Sequence, residues 1–191
     1  MGGLVLNLAL RLHLLYFLAE VLRRPGDPRF AGKALPVRNA LVVGGASLVF
    51  PALHLLRRPR GRWGRGRGRY PVWLDSLYLS IFWLDMAGNS LDLYDRYYYF
   101  DLLPHAHGTG AATVVAQAVL GLPALSAVGV ATVLHLLLEA QEYYTDVLFG
   151  TRNVRGVSDT VNDLLAGLAG TALYSAAYAR LAARRPPPGA G

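Results

Sequence analysis

Glu139, Glu142, Asp146, Asp159 and Asp163 fall in a stretch whose other residues are mostly leucine, alanine and valine. An ionised carboxylate surrounded by hydrocarbon costs about 2.5–3.5 kcal/mol on membrane-insertion scales. Several close together also repel one another, so arginines, protons, metal ions or water must compensate. Arg152 and Arg155, in the short link between the expected fifth and sixth helices, are the candidate substrate-binding residues, able to pair with carboxylates or to clamp a phosphate or carboxylate group of a ligand. A divalent ion is the second compensator. Carboxylate oxygens with His105 or His135 make an oxygen-rich site for magnesium or manganese, or a mixed one for zinc or iron. The candidate metal set is His105, Glu139, Glu142, Asp159 and Asp163, and the candidate acid–base residues are Glu139, Asp163 and His105. Water is the third, solvating Asp146 and Asp159 at the edge of the apolar region.

Each of these residues also has a plainer reading. Asp159 follows Ser158 at the start of an apolar run, where acids cap helices. His105 follows Pro104 in a first helical turn, and His135 either orients Glu139 or is a satisfied core histidine. His13, His54 and His107 read mostly as packing or surface residues. The run "HLLLEAQE" lacks the two-histidine spacing of zinc proteases, and there is no paired "ExxH" of di-iron bundles.

Such residues meet only if helices bring them together. Apolar stretches cover residues 3–22, 36–56, 72–92, 104–121, 124–146 and 159–182, and about 20 residues cross a bilayer. The pattern predicts an all-α polytopic transmembrane helix bundle of six spans, multi-pass in the cell membrane, with both termini on the cytoplasmic side. The first stretch, with Asn7, Arg11, His13 and Glu20, reads as a span with an interior polar side or as a helix lying in the interface, and not as a signal peptide, because Arg11 interrupts its apolar core. Pro51 predicts a kink in the second, and Leu122–Pro123 a tight hairpin between the fourth and fifth. Asp85, Asn89 and Asp92 form one stripe, as do His135, Glu139, Glu142 and Asp146, at spacings of four and three. With Asp159, Asn162 and Asp163 opening the last helix, these stripes are expected to meet near the non-cytoplasmic face. The run "GLAGTALYSAAYA" reads as close helix packing, and Tyr97, Tyr98, Tyr99, Tyr143 and Tyr144 as an aromatic belt.

Composition agrees with this class. Hydrophobic residues make up 53% and charged residues 16% of the 191, against about 25% charged in an ordinary soluble domain. There is no cysteine, which excludes disulfides, thiolate ligands and a cysteine nucleophile. The net charge of +7 is concentrated in "RRPRGRWGRGRGR" (57–69), a basic loop read as a cytoplasmic-side determinant. Its single "GRGRG" does not make a nucleic-acid interface. The predicted domain is the helical bundle of residues 1–183, followed by a disordered cytoplasmic tail, 184–191, ending in "RRPPPGAG".

The segment "EAQEYYTDVLFG" followed by "GVSDTVNDLLAGLAG" resembles the YjdF-like bacterial integral membrane proteins, in which an acidic helix end precedes a small-residue-rich helix. It is also similar to the VanZ-like family. There Glu139 and Gln141 stand for the glutamate and glutamine, Arg155 for the arginine, Asp159 for the aspartate and Asp163 where asparagine is expected, with Gly167 and Gly170 behind. "DLLPHAHG", with Asp101 and His105, resembles the Asp-Lys-x-x-His opening of both groups, with leucine in place of lysine. The resemblance covers about 101–170 and implies no settled reaction.

Two functional readings follow. In the first, the integral membrane protein uses its carboxylate–histidine cluster to bind a divalent metal ion or an anionic lipid head group. In the alternative, it is a transport or accessory protein whose cluster carries protons or ions, or fixes helix packing. The expected surroundings are the lipid bilayer, with no nucleic acid; neither an enzymatic reaction nor an oligomeric state follows.

Overall fold

The computed structural model describes residues 2–33, 35–56 and 70–183. Leucine-, alanine- and valine-rich runs separated by prolines and glycines become α1 (Gly2–Arg23), α2 (Leu35–Leu56), α3 (Val72–Ser90), α4 (Leu93–Arg96), α5 (Leu102–Val115), α6 (Ala124–Phe149) and α7 (Val157–Ala183). A π-helical turn, Ala116–Leu120, continues α5. Pro123 precedes α6, Pro71 precedes α3, and α2 continues through Pro51. The described residues contain no strand. The chain divides into two units, Met1–Leu93 and Tyr94–Gly191.

In the first unit, α1, α2 and α3 enclose a core of Leu10, Leu14, Phe17, Val43, Leu79, Met86 and Ala87. A polar network runs through it. Asp75 is fully buried, and its Oδ2 accepts from Arg11 Nη2 at 2.6 Å, Tyr70 OH at 2.7 Å and Asn7 Nδ2 at 2.8 Å. Arg11 also donates to the Ser47 carbonyl, so one side chain ties α1 to both α2 and α3. Nearer the other end, Arg29 donates to Glu20 (2.9 Å), Asp27 (2.8 Å) and the Ser90 carbonyl (2.5 Å), closing the connector onto α1 and α3.

In the second unit, α5 and α7 lie against each other over most of α5, and α6 packs on both. Two glycines set this closeness. A Cβ on Gly170 would stand 1.9 Å from the Ala106 carbonyl oxygen, and one on Gly110 would stand 2.8 Å from the Gly170 oxygen. Only bare backbone permits this approach.

The six-span, multi-pass expectation is corrected here. Among the described residues, two helices, α1 and α6, are long and apolar enough to cross a membrane. The α-helical part of α5 has 14 residues, about 21 Å at 1.5 Å per residue, short of a hydrocarbon core of about 30 Å. α3 interrupts its apolar run with Asp75, Ser76, Ser80, Asp85 and Asn89, and α7 with Asp159, Asn162 and Asp163. The expectation counted such polar positions as tolerable inside a span. In the structure several of them build salt-bridged and hydrogen-bonded helix contacts instead, and the multi-pass cell-membrane location falls with the count. The supported part is narrower. α1 and α6 direct many apolar side chains outward, among them Leu8, Leu12 and Leu15, and Leu134, Leu137 and Val133. The basic loop 57–69 and the tail 184–191, on which the expected orientation rested, lie outside the described residues.

Candidate metal centre

In the second unit α5, α6 and α7 each contribute a buried stripe of polar and small residues. On α6 it is Ala127, Ala131, His135 and Glu139, spaced by four. On α7 it is Asp159, Asp163, Gly167, Gly170 and Thr171, and on α5 it includes His105, Thr109 and Thr113. Residues four apart share a helix face, so packing the small residues of these stripes together also brings the polar ones together. His105, His135, Glu139 and Asp163 have side chains 7%, 4%, 6% and 5% exposed, all within the protein interior.

The geometry centres on the two imidazoles. His105 Nδ1 and His135 Nε2 are 2.7 Å apart and share a hydrogen bond, with the rings stacked at a centroid distance of 4.8 Å. Glu139 Oε1 faces both, 3.2 Å from His135 Nε2 and 3.5 Å from His105 Nδ1. The other side of the His105 ring faces acids. Its Nε2 is 3.3 Å from Asp101 Oδ1 and 3.9 Å from Asp163 Oδ2.

Hydrogen-bond accounting assigns the protons. Thr109 Oγ1 donates to the His105 carbonyl at 2.7 Å, so it can only accept from His135 Nδ1, 3.4 Å away. A neutral His135 therefore carries its proton on Nδ1 and turns the Nε2 lone pair toward His105 and Glu139. His105 then supplies the shared proton from Nδ1, and Asp101 calls for another on Nε2. Burial favours the neutral ring, but the hydrogen bond and charge of Asp101, with the charges of Asp163 and Glu142, outweigh it and raise the His105 pKa to about 9. Burial pushes the Asp163 carboxyl up to about 7; the His105 charge opposes this, and Asp101, Glu139 and Asp159 add to it.

The donors run out before the acceptors do. Glu139 Oε1 and Asp163 Oδ1 are buried and accept no hydrogen bond among the described residues. Leaving such a group unsatisfied costs about 1–3 kcal/mol, and more when it is charged. A cation would answer both the shortage of donors and the excess of negative charge.

Two sets of ligand atoms in this cluster are close enough to hold a metal ion, His105–His135–Glu139 and Asp101–His105–Asp163, the atoms of each lying within 4.8 Å of one another. Metal bonds of about 2.0–2.1 Å at tetrahedral angles place ligand atoms about 3.3 Å apart. The 3.2 and 3.5 Å separations of the first set lie near that spacing, and the 2.7 Å His–His hydrogen bond must open by about 0.6 Å. The outer shell is also in place, with Asp101 behind His105 and Thr109 behind His135, as for histidines that ligate metals. Gly167 makes room for the second ring. A Cβ there would lie 2.3 Å from His135 Nδ1 and 3.0 Å from Thr109 Oγ1.

Of the residues singled out in the sequence, the structure brings His105, Glu139 and Asp163 together. Glu142 acts on His105 through its charge but belongs to neither ligand set. Asp159 lies just before Asp163 on the same stripe and is buried; its Oδ2 accepts from the Arg155 backbone N–H at 2.9 Å, in the first turn of α7. Asp146 organises the loop after α6, accepting from Thr151 Oγ1 (2.6 Å) and the Asn153 (2.9 Å) and Val154 (2.8 Å) backbone. Arg152 is exposed. Arg155 donates to the Tyr94 and Tyr98 carbonyls at 2.8 and 3.0 Å rather than to a carboxylate. His107 bonds Tyr174 OH at 2.7 Å. Asp85, Asn89 and Asp92 belong to the first unit.

Sequence reasoning left His135 as either an orienting partner or a core histidine, and met Asp101 only through a family resemblance. Both lie four residues from a ligand-bearing partner, Glu139 and His105, and the run of alanines at the same spacing before His135 marked its face as buried. No family model matches the chain, and searches of curated proteins and of solved structures find no match either. The likeness to YjdF-like and VanZ-like proteins therefore rests on the residues quoted above.

Proposed function

We propose that the second unit binds a divalent transition-metal ion through His105 Nδ1, His135 Nε2 and Glu139 Oε1. The carrying observation is the convergence of two imidazole nitrogens and a donor-less carboxylate oxygen on one buried point. On binding, the proton shared by the two rings leaves. His105 keeps its Nε2–H directed at Asp101, and His135 its Nδ1–H directed at Thr109, so each ligand is oriented from behind. Two imidazoles and one carboxylate suit zinc or ferrous iron better than magnesium or calcium. Three protein ligands leave the ion coordination positions for water or a substrate oxygen, where it would act as a Lewis acid or lower the pKa of bound water.

Elemental analysis of the purified 191-residue chain, followed by zinc, cobalt and iron(II) titration of chelator-stripped protein, tests this. We expect one or more ions per chain, loss of the ion in His135→Ala and Glu139→Ala, and a rise in Tm on adding zinc; at 100 times Kd the stabilisation is about 2.7 kcal/mol. A stripped chain that takes up none of the three metals and keeps its Tm would reduce the cluster to a packing network.

A further inference from the structure

The single-ion reading leaves half of the cluster without a task. His105 presents Nδ1 to one ligand set and Nε2 to the other, and the two lone-pair directions of an imidazole diverge, so one ion cannot take both. Asp163, 5% exposed, directs Oδ2 toward Nε2 at 3.9 Å and has an Oδ1 that accepts no hydrogen bond among the described residues. Asp101, on the same side of the ring, stands at 3.3 Å.

We propose that this centre is dinuclear, with the His105 ring bridging one ion held by His135 and Glu139 to a second held by Asp101 and Asp163. The inference rests on the single-ion reading and extends it. The first ion replaces the proton on Nδ1. The second replaces the proton on Nε2, leaving an imidazolate whose two nitrogen lone pairs each form one metal bond, and both protons pass to solvent. Formal charge supports the pair. Three carboxylates, two buried and Asp101 partly so, and an imidazolate balance two divalent ions, whereas a single ion beside a neutral His105 leaves the three carboxylates with negative charge in excess, at a depth where excess charge is costly. Each carboxylate of the cluster that has an orphaned oxygen then faces a cation, Glu139 the first and Asp163 the second. The two positions differ in chemistry. The first is rich in nitrogen and the second in oxygen, so the second tolerates harder ions such as manganese.

Zinc stoichiometry at saturation and the electron paramagnetic resonance of the copper(II)-loaded chain test the bridge. We expect two zinc ions per wild-type chain, and a copper signal that integrates to far less than the bound copper because the imidazolate couples the spins. The Asp101→Asn/Asp163→Asn variant is expected to hold one zinc and to show a full copper signal. Its remaining affinity should drop by about 10- to 100-fold, the scale of losing an outer-shell partner. One zinc per wild-type chain, or two coppers with a full uncoupled signal, would overturn the bridge and leave the single-ion reading standing. No bound metal in wild type would overturn both. Both wild-type readouts are independent of how well the variant folds.

Discussion

Asp75 in the first unit and Asp163 in the second are equally typical buried carboxylates by exposure, yet their surroundings are opposite. Asp75 receives three donors on one oxygen, and the guanidinium of Arg11 cancels its charge at 2.6 Å. Among the described residues Asp163 has no arginine ion pair; the cation facing it is His105, at 3.9 Å and shared with Asp101, and burial, with other acids nearby, raises its pKa. In the first arrangement the charge is cancelled by Arg11, although Asp75 Oδ1, like Asp163 Oδ1, accepts no hydrogen bond among the described residues, and the network works as a clamp between helices. The second is short of positive charge, so a donor-less oxygen on a buried acid points to a ligand only where no cation already cancels the charge.

If that contrast is right, the two regions should respond oppositely to mutation. The largest effect is expected in the first unit. Arg11→Met strands the Asp75 charge, and breaking a buried pair from one side costs about 3–5 kcal/mol. Arg11 is 21% exposed, which favours roughly 3 kcal/mol, read as a lower urea midpoint; an unchanged midpoint would show that the network contributes nothing. Next comes Gly167→Ala, which forces a methyl group against His135. Overpacking costs about 1–3 kcal/mol, and zinc binding should weaken with it, while Gly129→Ala, whose Cβ would meet nothing within 4 Å, should change neither.

The smallest effect carries the most informative sign. Asp163→Asn should stabilise the metal-free chain at pH 8 by about 1 kcal/mol, the scale of one pKa unit, while removing the second ion. The pH dependence follows the same sign. Folding raises the Asp163 pKa from 3.8 to about 7 and the His105 pKa from 6.5 to about 9. The folded form therefore holds more protons than the unfolded form between pH 3.8 and about 9, and the stability these groups contribute is lost as pH rises through that window. Asp27 in the first unit goes the other way. The hydrogen bonds from Arg29 lower its pKa to about 2, so its contribution is present above pH 3.8 and lost as pH falls toward 2. Urea midpoints in chelator from pH 4 to 9 check the trend; a rise across that range in wild type, or no flattening in Asp163→Asn, would contradict it.

The helices themselves were legible. Long apolar runs bounded by Pro71, Pro123 and the Gly-Pro segments fall close to the observed bounds of α1, α2, α3, α6 and α7. The environment around them was not. Asp75 and Arg11 are far apart in sequence, and only the packed structure shows that each neutralises the other, so their polarity could not be charged against a membrane crossing from sequence alone. The stripe holding His135 and Glu139 was readable from spacing. What spacing could not supply was proton accounting: that Thr109 spends its hydrogen on the His105 carbonyl is a tertiary fact, and it decides which nitrogen His135 offers. Arg155 shows the reverse error, a charge that looked suited to a carboxylate and is engaged with carbonyl oxygens.

The seat of His135 on the uncovered main chain of α7 has a kinetic side. With that backbone close against it and Thr109 at its flank, the ring is held between α6 and α7, so an ion bound as proposed is expected to leave when α7 lifts from α6. Residence time is then set by helix breathing, and a chelator strips the ion at a rate that stops rising with chelator concentration.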